Sequence, residues 1–343
     1  MEFLVFLGAG CSAEFEVPTM KEMVKDFKQD IKSRQQESYL YKKILAALNK
    51  KNGRCDLETV LDVLEKLSKK GINGPFESFI LATLNTNKFD IANELTFQNA
   101  DELKKGLKEF LFKKCTFDNK KYEENKKVFD DFWKFMEYLG INKGNSGLNF
   151  NLYTTNYDRY LDVYLSEKYS RNYKSSVSDY FDTNSNPPIF NVPAENILPN
   201  YRPHNEYVKF HGSIDWYLSP DRTIKRTIEP FKDDKGGMMM YPISEKPLYL
   251  EPWNTLLSLF KRALKQADTW IAIGYSFNDE YLRSIFEEQL ISGEHLLAIL
   301  GKDGENVAKD HFNGRSDTKG FNCKFASLDK CQEDIKKWLT ENR

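Results

Sequence analysis

A short apolar strand followed at once by a glycine turn constrains this chain more than any other feature. The five apolar residues from Phe3 to Leu7 are followed by Gly8-Ala-Gly-Cys-Ser12. Gly8, Gly10 and Ala13 have the G-x-G-x-x-G/A spacing of a strand, turn and helix start. Backbone N–H groups converge in such a turn and can cradle a phosphate. A plain tight turn explains the same residues, so the interpretation depends on later segments.

Charge and composition argue against nucleic-acid-binding and membrane-spanning proteins. The 343 residues carry 50 Lys and Arg against 51 Asp and Glu, so no overall basic field attracts nucleic acid. No run of 18 apolar residues is present, and the N-terminal apolar run is too short for a signal peptide. Five cysteines without a C-x-x-C pair predict a reducing cytoplasm and no zinc or other metal site.

A long block after the first strand shows helical periodicity and no strand pattern. Helices are predicted at Met20–Ile31, Tyr39–Leu48, Leu57–Ser68, Phe76–Leu84, Asp101–Phe112 and Glu123–Leu139. A dehydrogenase fold would place its second strand near residue 30, ending in an acidic residue that binds the ribose. That strand is missing from the pattern, which counts against hydride transfer.

Strands and helices alternate over the rest of the chain. Strands are predicted at 150–154, 208–210, 269–273, 295–300 and 323–326, and helices at 159–168, 253–266, 279–291, 303–312 and 329–341. The alternation predicts an α/β fold with a doubly wound, mostly parallel, Rossmann-like sheet and a large helical insertion after the first strand. The predicted domains are 1–20 with 141–343, and the helical insertion at 21–140. Residues 172–206 are predicted to be a long loop, and 219–246 an irregular excursion or hairpin.

Four predicted strands end in residues that are unusual for structural turns. They are Gly8-Ala-Gly-Cys-Ser12, Thr155-Asn-Tyr-Asp158, His211-Gly212 and Gly274-Tyr-Ser276. Ligands of an open parallel sheet bind beyond the carboxyl ends of its strands. We therefore expect the four groups to face one crevice.

This ordered set of motifs resembles the sirtuin superfamily, and most closely the bacterial branch whose members cleave NAD in antiphage defence. The resemblance covers residues 1–20 and about 148–300. Two departures concern the protein deacylases of that superfamily. Val17-Pro-Thr-Met-Lys21 stands where they have Asp-Phe-Arg, and their four-cysteine zinc module cannot be built here. The resemblance therefore implies NAD binding, while peptide deacylation is in doubt.

Cleavage of the nicotinamide–ribose bond requires groups that hold the pyrophosphate, orient the ribose and guide a water molecule. The residues predicted to bind NAD are Gly8, Ala9, Gly10, Ser12, Thr155, Asp158, Gly274 and Ser276. Asn156 offers a donor and an acceptor to a ribose hydroxyl or to the attacking water, and His211 can take a proton near neutral pH. The family resemblance implies that Asp158 accepts a hydrogen bond from the nicotinamide carboxamide.

Each of these residues also has a purely structural interpretation. Asn156 and Asp158 are residue types that commonly cap the N-terminus of a helix. His211 can be a structural turn residue, and Ser276 can cap a helix that starts near Asn278. Cys11 lies in the glycine turn and is a poor candidate for a nucleophile.

Three functions remain open: an NAD glycohydrolase that depletes NAD in antiphage defence, an NAD-dependent deacylase, and a silent nucleotide-binding subunit. The missing zinc cysteines favour the NAD glycohydrolase over the deacylase. The presence of Asn156 and His211 favours the glycohydrolase over the silent subunit. We expect a homo-oligomer, because the helical block is rich in large aromatics, which are enriched at interfaces. They include Phe76, Phe79, Phe110, Phe112, Phe129, Phe132 and Trp133. The resemblance implies a separately encoded regulator, such as a HerA-type ATPase.

Overall fold

The computed structural model describes residues 2–50, 57–68, 92–141, 150–168, 179–182, 185–193, 196, 205–227 and 251–342. These residues divide into two compact units. The first holds the described residues of Met1–Val17, Cys115–Met239 and Pro247–Arg343, and the second those of Pro18–Lys114. The domain limits expected from the sequence, near residues 20 and 141, stay a prediction.

The strands among the described residues all lie in the first unit. They are β1 (Phe3–Leu7), β2 (Phe150–Thr154), β3 (Phe181–Asp182), β4 (Ile189–Phe190), β5 (Asn205–Lys209), β6 (Trp216–Leu218), β7 (Ile224–Arg226), β8 (Thr269–Ile273), β9 (Leu296–Gly301) and β10 (Thr318–Asn322). Six of them form a parallel sheet in the order β10-β9-β8-β1-β2-β5. The other four form a small antiparallel sheet in the order β3-β4-β7-β6. The predicted Rossmann-like α/β fold is confirmed.

The large sheet has a reversal of strand order between its neighbours β1 and β8. From β1 the chain adds β2 and β5 on one side, and then β8, β9 and β10 on the other. Ligands of such sheets bind in the crevice at this reversal. The register brings the strand ends level, because Leu7 pairs with both Thr154 and Ile273, and Thr154 pairs with Lys209. The predicted site segments therefore leave the sheet at one edge.

Helices cover much of the remaining described chain. They are α1 (Met20–Asp30), α2 (Gln35–Lys50), α3 (Leu57–Ser68), α4 (Ala92–Cys115), α5 (Asn119–Asn125), α6 (Lys127–Leu139), α7 (Tyr160–Lys168), α8 (Trp253–Gln266), α9 (Glu280–Leu290), α10 (Gly304–Phe312) and α11 (Gln332–Glu341). Helices α5 and α6 belong to the first unit. None of the described helices is both long enough and apolar enough to span a bilayer.

Several elements differ from the sequence prediction for identifiable reasons. The helix predicted at Glu123–Leu139 is two helices, because Asp118 caps α5 and a new helix begins at Lys127. The last strand was predicted at 323–326 but lies at Thr318–Asn322, where only two of five residues are buried and the apolar signal is weak. Strand β5 begins three residues earlier than predicted, because Asn205 and Glu206 are polar but buried. The helix predicted at Phe76–Leu84 lies outside the described residues.

Large aromatics of the predicted interface belong to the cores of the two units. Phe129, Phe132 and Trp133 are buried in the first unit, where Phe129 stacks on Phe15 with ring centroids 5.0 Å apart. Phe110 is buried in the second unit and packs against Phe27. Phe76 and Phe79 lie outside the described residues. The aromatic content at these four positions therefore no longer supports an oligomer.

A buried ionic cluster, which we call the Glu206 cluster, anchors β5 to α8. It consists of Glu206, Arg262, Tyr153 and Tyr180. The guanidinium of Arg262 and the hydroxyls of both tyrosines donate to the Glu206 carboxylate, the Tyr153 hydroxyl at 2.9 Å. Burial, and then the charge of Glu206, raise the pKa of Tyr153 well above its usual range. Both tyrosines therefore remain donors, and the carboxylate is satisfied without water.

Candidate active site

The glycine turn after β1 packs tightly against the turn that follows β8. The N–H of Gly10 donates to the carbonyl of Gly274 at 2.9 Å, and the N–H of Gly8 donates to that of Ile273 at 2.9 Å. A Cβ atom on Gly8 would lie 2.6 Å from the Gly274 carbonyl oxygen, and one on Gly10 would lie 2.8 Å from the Gly274 Cα. The absent side chains therefore make room for another backbone segment. Ala9, between the two glycines, is partly exposed.

Replacement of Gly274 by alanine should destabilise the fold more than the same change at Gly314. Both residues have positive φ, 65° and 83°, so both variants lose about 1–2 kcal/mol to backbone strain. The new methyl group at Gly274 would lie 2.8 Å from the Cys11 nitrogen, whereas Gly314 faces open space. Overpacking adds about 1–3 kcal/mol at Gly274 alone. Urea unfolding measures both variants, and equal losses would contradict the close packing of the two turns.

A chain of hydrogen bonds joins the glycine turn to the end of β2. The Asn156 amide nitrogen donates to the Gly8 carbonyl at 2.9 Å and to the Ser12 hydroxyl oxygen at 2.8 Å. Ser12 in turn donates its proton to Asp158 Oδ2 at 2.6 Å. The Thr155 N–H donates to the Leu7 carbonyl at 3.2 Å, which continues the pairing of β1 with β2. The sequence prediction that these residues meet at one sheet edge agrees with this geometry.

Asp158 is buried, and both oxygens of its carboxylate accept hydrogen bonds from neighbouring residues. Its Oδ1 accepts the N–H of Tyr160 at 3.2 Å in the first turn of α7, so the N-cap interpretation holds in part for Asp158. Asn156 bonds to the glycine turn instead. Burial raises the pKa of the Asp158 carboxyl, while Lys209 and the Ser12 hydroxyl act to lower it. The carboxyl is therefore easier to protonate than an exposed aspartate.

Lys209, at the end of β5, was missed by the sequence analysis and holds this turn in place. Its ammonium group donates to the backbone carbonyls of Asp158 and Tyr157 and to Asp162 Oδ2, the last at 3.0 Å. Burial acts to raise the pKa of Asp162, but the charges of Lys209 and Arg159 outweigh it and the pKa is lowered. The sequence could have indicated this role, because Lys209 lies in the otherwise apolar run Val208-Lys-Phe210 and lysine is almost never buried without a partner.

His211 lies two residues after the end of β5. Its side chain is close to Asp279, a residue of the segment that follows β8. Its Nε2 lies 3.6 Å from Oδ2 of Asp279, and both side chains are buried. Asp279 is the N-cap of α9, so the interpretation of Ser276 as that cap is wrong. Ser276 is exposed on the loop between Gly274 and Asp279. In the sequence, Asp279 is only the first residue of the helix predicted at 279–291, and no role is predicted for it.

The cavity beside these groups is small. Its lining includes Ser12, Asn156, Asp158 and Tyr207, and its volume is about 10 Å³. That is room for about one water molecule, whereas pockets for organic ligands measure about 300–1,000 Å³. This cavity alone is therefore too small for an organic ligand.

Cys11 has the properties of a structural thiol. Its Sγ donates to the Ile273 carbonyl at 3.2 Å, and burial raises the pKa of the thiol far above its usual range. A protonated, buried thiol is a weak nucleophile. Within the described ranges, no group of three or more His, Cys, Asp or Glu side chains is placed to hold a metal ion.

Comparison with known families supports the assignment made from the motifs. Residues 151–316 match the family model described as the SIR2-like domain. The matched segment includes Asn156, Asp158, His211, Gly274 and Asp279, and begins after the glycine turn of β1. No curated protein matches the chain. The chain therefore carries a match to the SIR2-like domain over residues 151–316, and this match supports the resemblance to the sirtuin superfamily.

Proposed function

We propose that this protein is an NAD glycohydrolase that cleaves the nicotinamide–ribose bond to give nicotinamide and ADP-ribose. SIR2-like domains use NAD, which supports the substrate. The observation that carries the proposal is the bond pattern of Asn156 at the reversal of strand order. Its amide nitrogen binds the glycine turn and Ser12, so its amide oxygen is the atom left for a ribose hydroxyl or a water molecule.

The residues supply what the hydrolysis needs. The oxygen of water forms a bond to C1′ of the ribose, and the bond from C1′ to nicotinamide breaks with its electron pair on the departing nitrogen. Positive charge develops on the ribose, and in this proposal the carboxylate of Asp158 supplies negative charge that stabilises it. The proton lost by water passes to His211, which is suited to general base catalysis near neutral pH. No metal ion takes part in these steps.

Two other functions are distinguished by one assay. The purified protein is incubated with NAD, with and without an acetyl-lysine peptide, and the products are separated by chromatography. We expect nicotinamide and ADP-ribose in equal amounts without the peptide, from the protein alone or once the neighbouring gene product is added. Turnover that strictly requires the peptide would assign a deacylase. Binding of NAD without turnover, both alone and with the neighbouring gene product added, would assign a silent nucleotide-binding subunit.

We further propose that this activity depletes NAD in bacterial antiphage defence and is gated in a homo-oligomer by a separately encoded partner. Unregulated NAD hydrolysis would kill the host, so the activity needs control. The cavity beside Ser12 and Asp158 has a volume of about 10 Å³, and a site for NAD would have to be far larger, which is compatible with a gate. Opening of such a site on activation is a common way to control turnover. The family resemblance suggests a HerA-type ATPase or another sensor as the partner.

A further inference from the structure

The histidine of the candidate site is paired with one carboxylate oxygen. His211 is 4% exposed and lies with its Nε2 3.6 Å from Asp279 Oδ2, and the Asp279 side chain is 8% exposed. This is an ion-pair distance, slightly longer than a hydrogen bond. Contacts of catalytic groups are often long in the absence of substrate and tighten when it binds. The pair joins the end of β5 to the start of α9, across the strands that carry the glycine turns.

The two oxygens of Asp279 have separate partners. Oδ1 accepts the N–H groups of Tyr281 and Leu282 at 3.1 and 3.2 Å, which caps α9. The cap needs only one acceptor, and Asn or Ser would supply it equally well. Oδ2 faces His211 instead. The carboxylate of Asp279 therefore provides a second acceptor oxygen that the helix cap does not need. The capping bonds to Oδ1 also fix the direction in which Oδ2 points.

We propose that Asp279 is the positioning residue for His211 in NAD cleavage, an inference that rests on the proposed function. The negative Oδ2 keeps the imidazole proton on Nε2. The basic nitrogen is then Nδ1, which accepts the proton from water or from a ribose hydroxyl. The same carboxylate stabilises the imidazolium that results. A buried aspartate acts on the histidine of the serine-protease triad in this way.

The exchange Asp279→Asn separates this role from helix capping. The amide oxygen keeps the cap, while the amide NH₂ faces Nε2 and favours the proton on Nδ1. We expect kcat for NAD cleavage to fall about tenfold or more with KM nearly unchanged, since the wrong tautomer is held. The melting temperature should match that of the wild type. Asp279→Ser keeps a cap but removes the second oxygen, and it should also lose turnover.

The same exchange at another cap aspartate is the matched control. Asp118 caps α5 by accepting the N–H groups of Lys120 and Lys121 at 2.9 and 3.1 Å. Asp118→Asn should leave kcat unchanged. If Asp279 were only a cap, the Asn variants at both positions would behave alike.

A second measurement does not depend on turnover. Nitrogen NMR of the histidine side chains at pH 9, where imidazoles are neutral, reports which nitrogen carries the proton, and His211→Gln assigns the signal. We expect the Nε2–H tautomer in the wild type and the Nδ1–H tautomer in Asp279→Asn. An unchanged tautomer, or kcat of Asp279→Asn within twofold of an active wild type, overturns the proposal. A wild type that leaves NAD intact, both alone and with the neighbouring gene product added, would instead refute the proposed function, and the tautomer would then decide the role of Asp279.

Discussion

Replacing Asn156 or His211 by alanine lowers NAD cleavage about 10²–10⁴-fold, the usual loss for a missing acid–base or water-orienting group. Asn156→Ala removes the amide oxygen that we propose binds the ribose or the water, together with the bonds from the amide nitrogen to Gly8 and Ser12. His211→Ala removes the proposed base, while the two capping contacts of Asp279 Oδ1 stay in place. Consumption of NAD is measured for each variant beside the wild type.

Both variants should still fold. The two hydrogen bonds lost in Asn156→Ala contribute about 0.5–1.5 kcal/mol each, small against the 5–15 kcal/mol that stabilise a typical domain. Thermal melting of each variant checks this. His311→Ala, on α10, is the matched histidine control and should cleave NAD at the wild-type rate. Consumption near the wild-type level in Asn156→Ala or His211→Ala would remove that residue from the mechanism.

Arg262→Met lowers the free energy of unfolding by about 3–5 kcal/mol, because it leaves a buried carboxylate without its counter-ion. Glu206 is 0% exposed and then keeps only the hydroxyls of Tyr153 and Tyr180 as partners within the Glu206 cluster. Methionine fills a similar volume, so packing changes little. The midpoint of urea unfolding measures the loss.

The double variant Glu206→Gln with Arg262→Met isolates the charge. Glutamine is neutral and can still accept from the tyrosine hydroxyls, so the double variant should be more stable than Arg262→Met alone. The double-mutant cycle then gives the coupling free energy of the pair. A loss below about 1 kcal/mol in Arg262→Met would mean that the Glu206 cluster contributes little net stability.

Much of the fold follows from local patterns in the sequence. The apolar run of β1 and its glycines predict a buried strand and a turn, and both are present. Alternation of strands and helices predicts the doubly wound sheet. Strand β5 was harder, because Asn205 and Glu206 look like loop residues until their buried partners are known. The Glu206 carboxylate is paired with Arg262, which lies far away in the chain, and the local sequence gives no indication of this contact.

The candidate site was predictable in location but not in its bonding. Carboxyl ends of parallel strands share one edge, so Asn156, His211 and Gly274 had to lie near each other. The direction of the Ser12 proton toward Asp158 depends on side-chain rotamers, which the sequence does not reveal. The contact of Asp279 with His211 could not be predicted for a different reason. Its local pattern is that of a helix cap, and its second oxygen meets a histidine from another strand.

The position of β1 between β2 and β8 has a consequence for synthesis of the chain. Phe3 pairs with Thr269, so β1 must wait for β8 before both of its edges are covered. At about 5–20 residues per second, a ribosome needs about 13–50 s to make the intervening segment. During that time Phe3–Leu7, all buried in the folded protein, remain partly unprotected. The nascent chain therefore cannot bring Gly274 against Gly10 until β8 has emerged, and the crevice assembles late in translation.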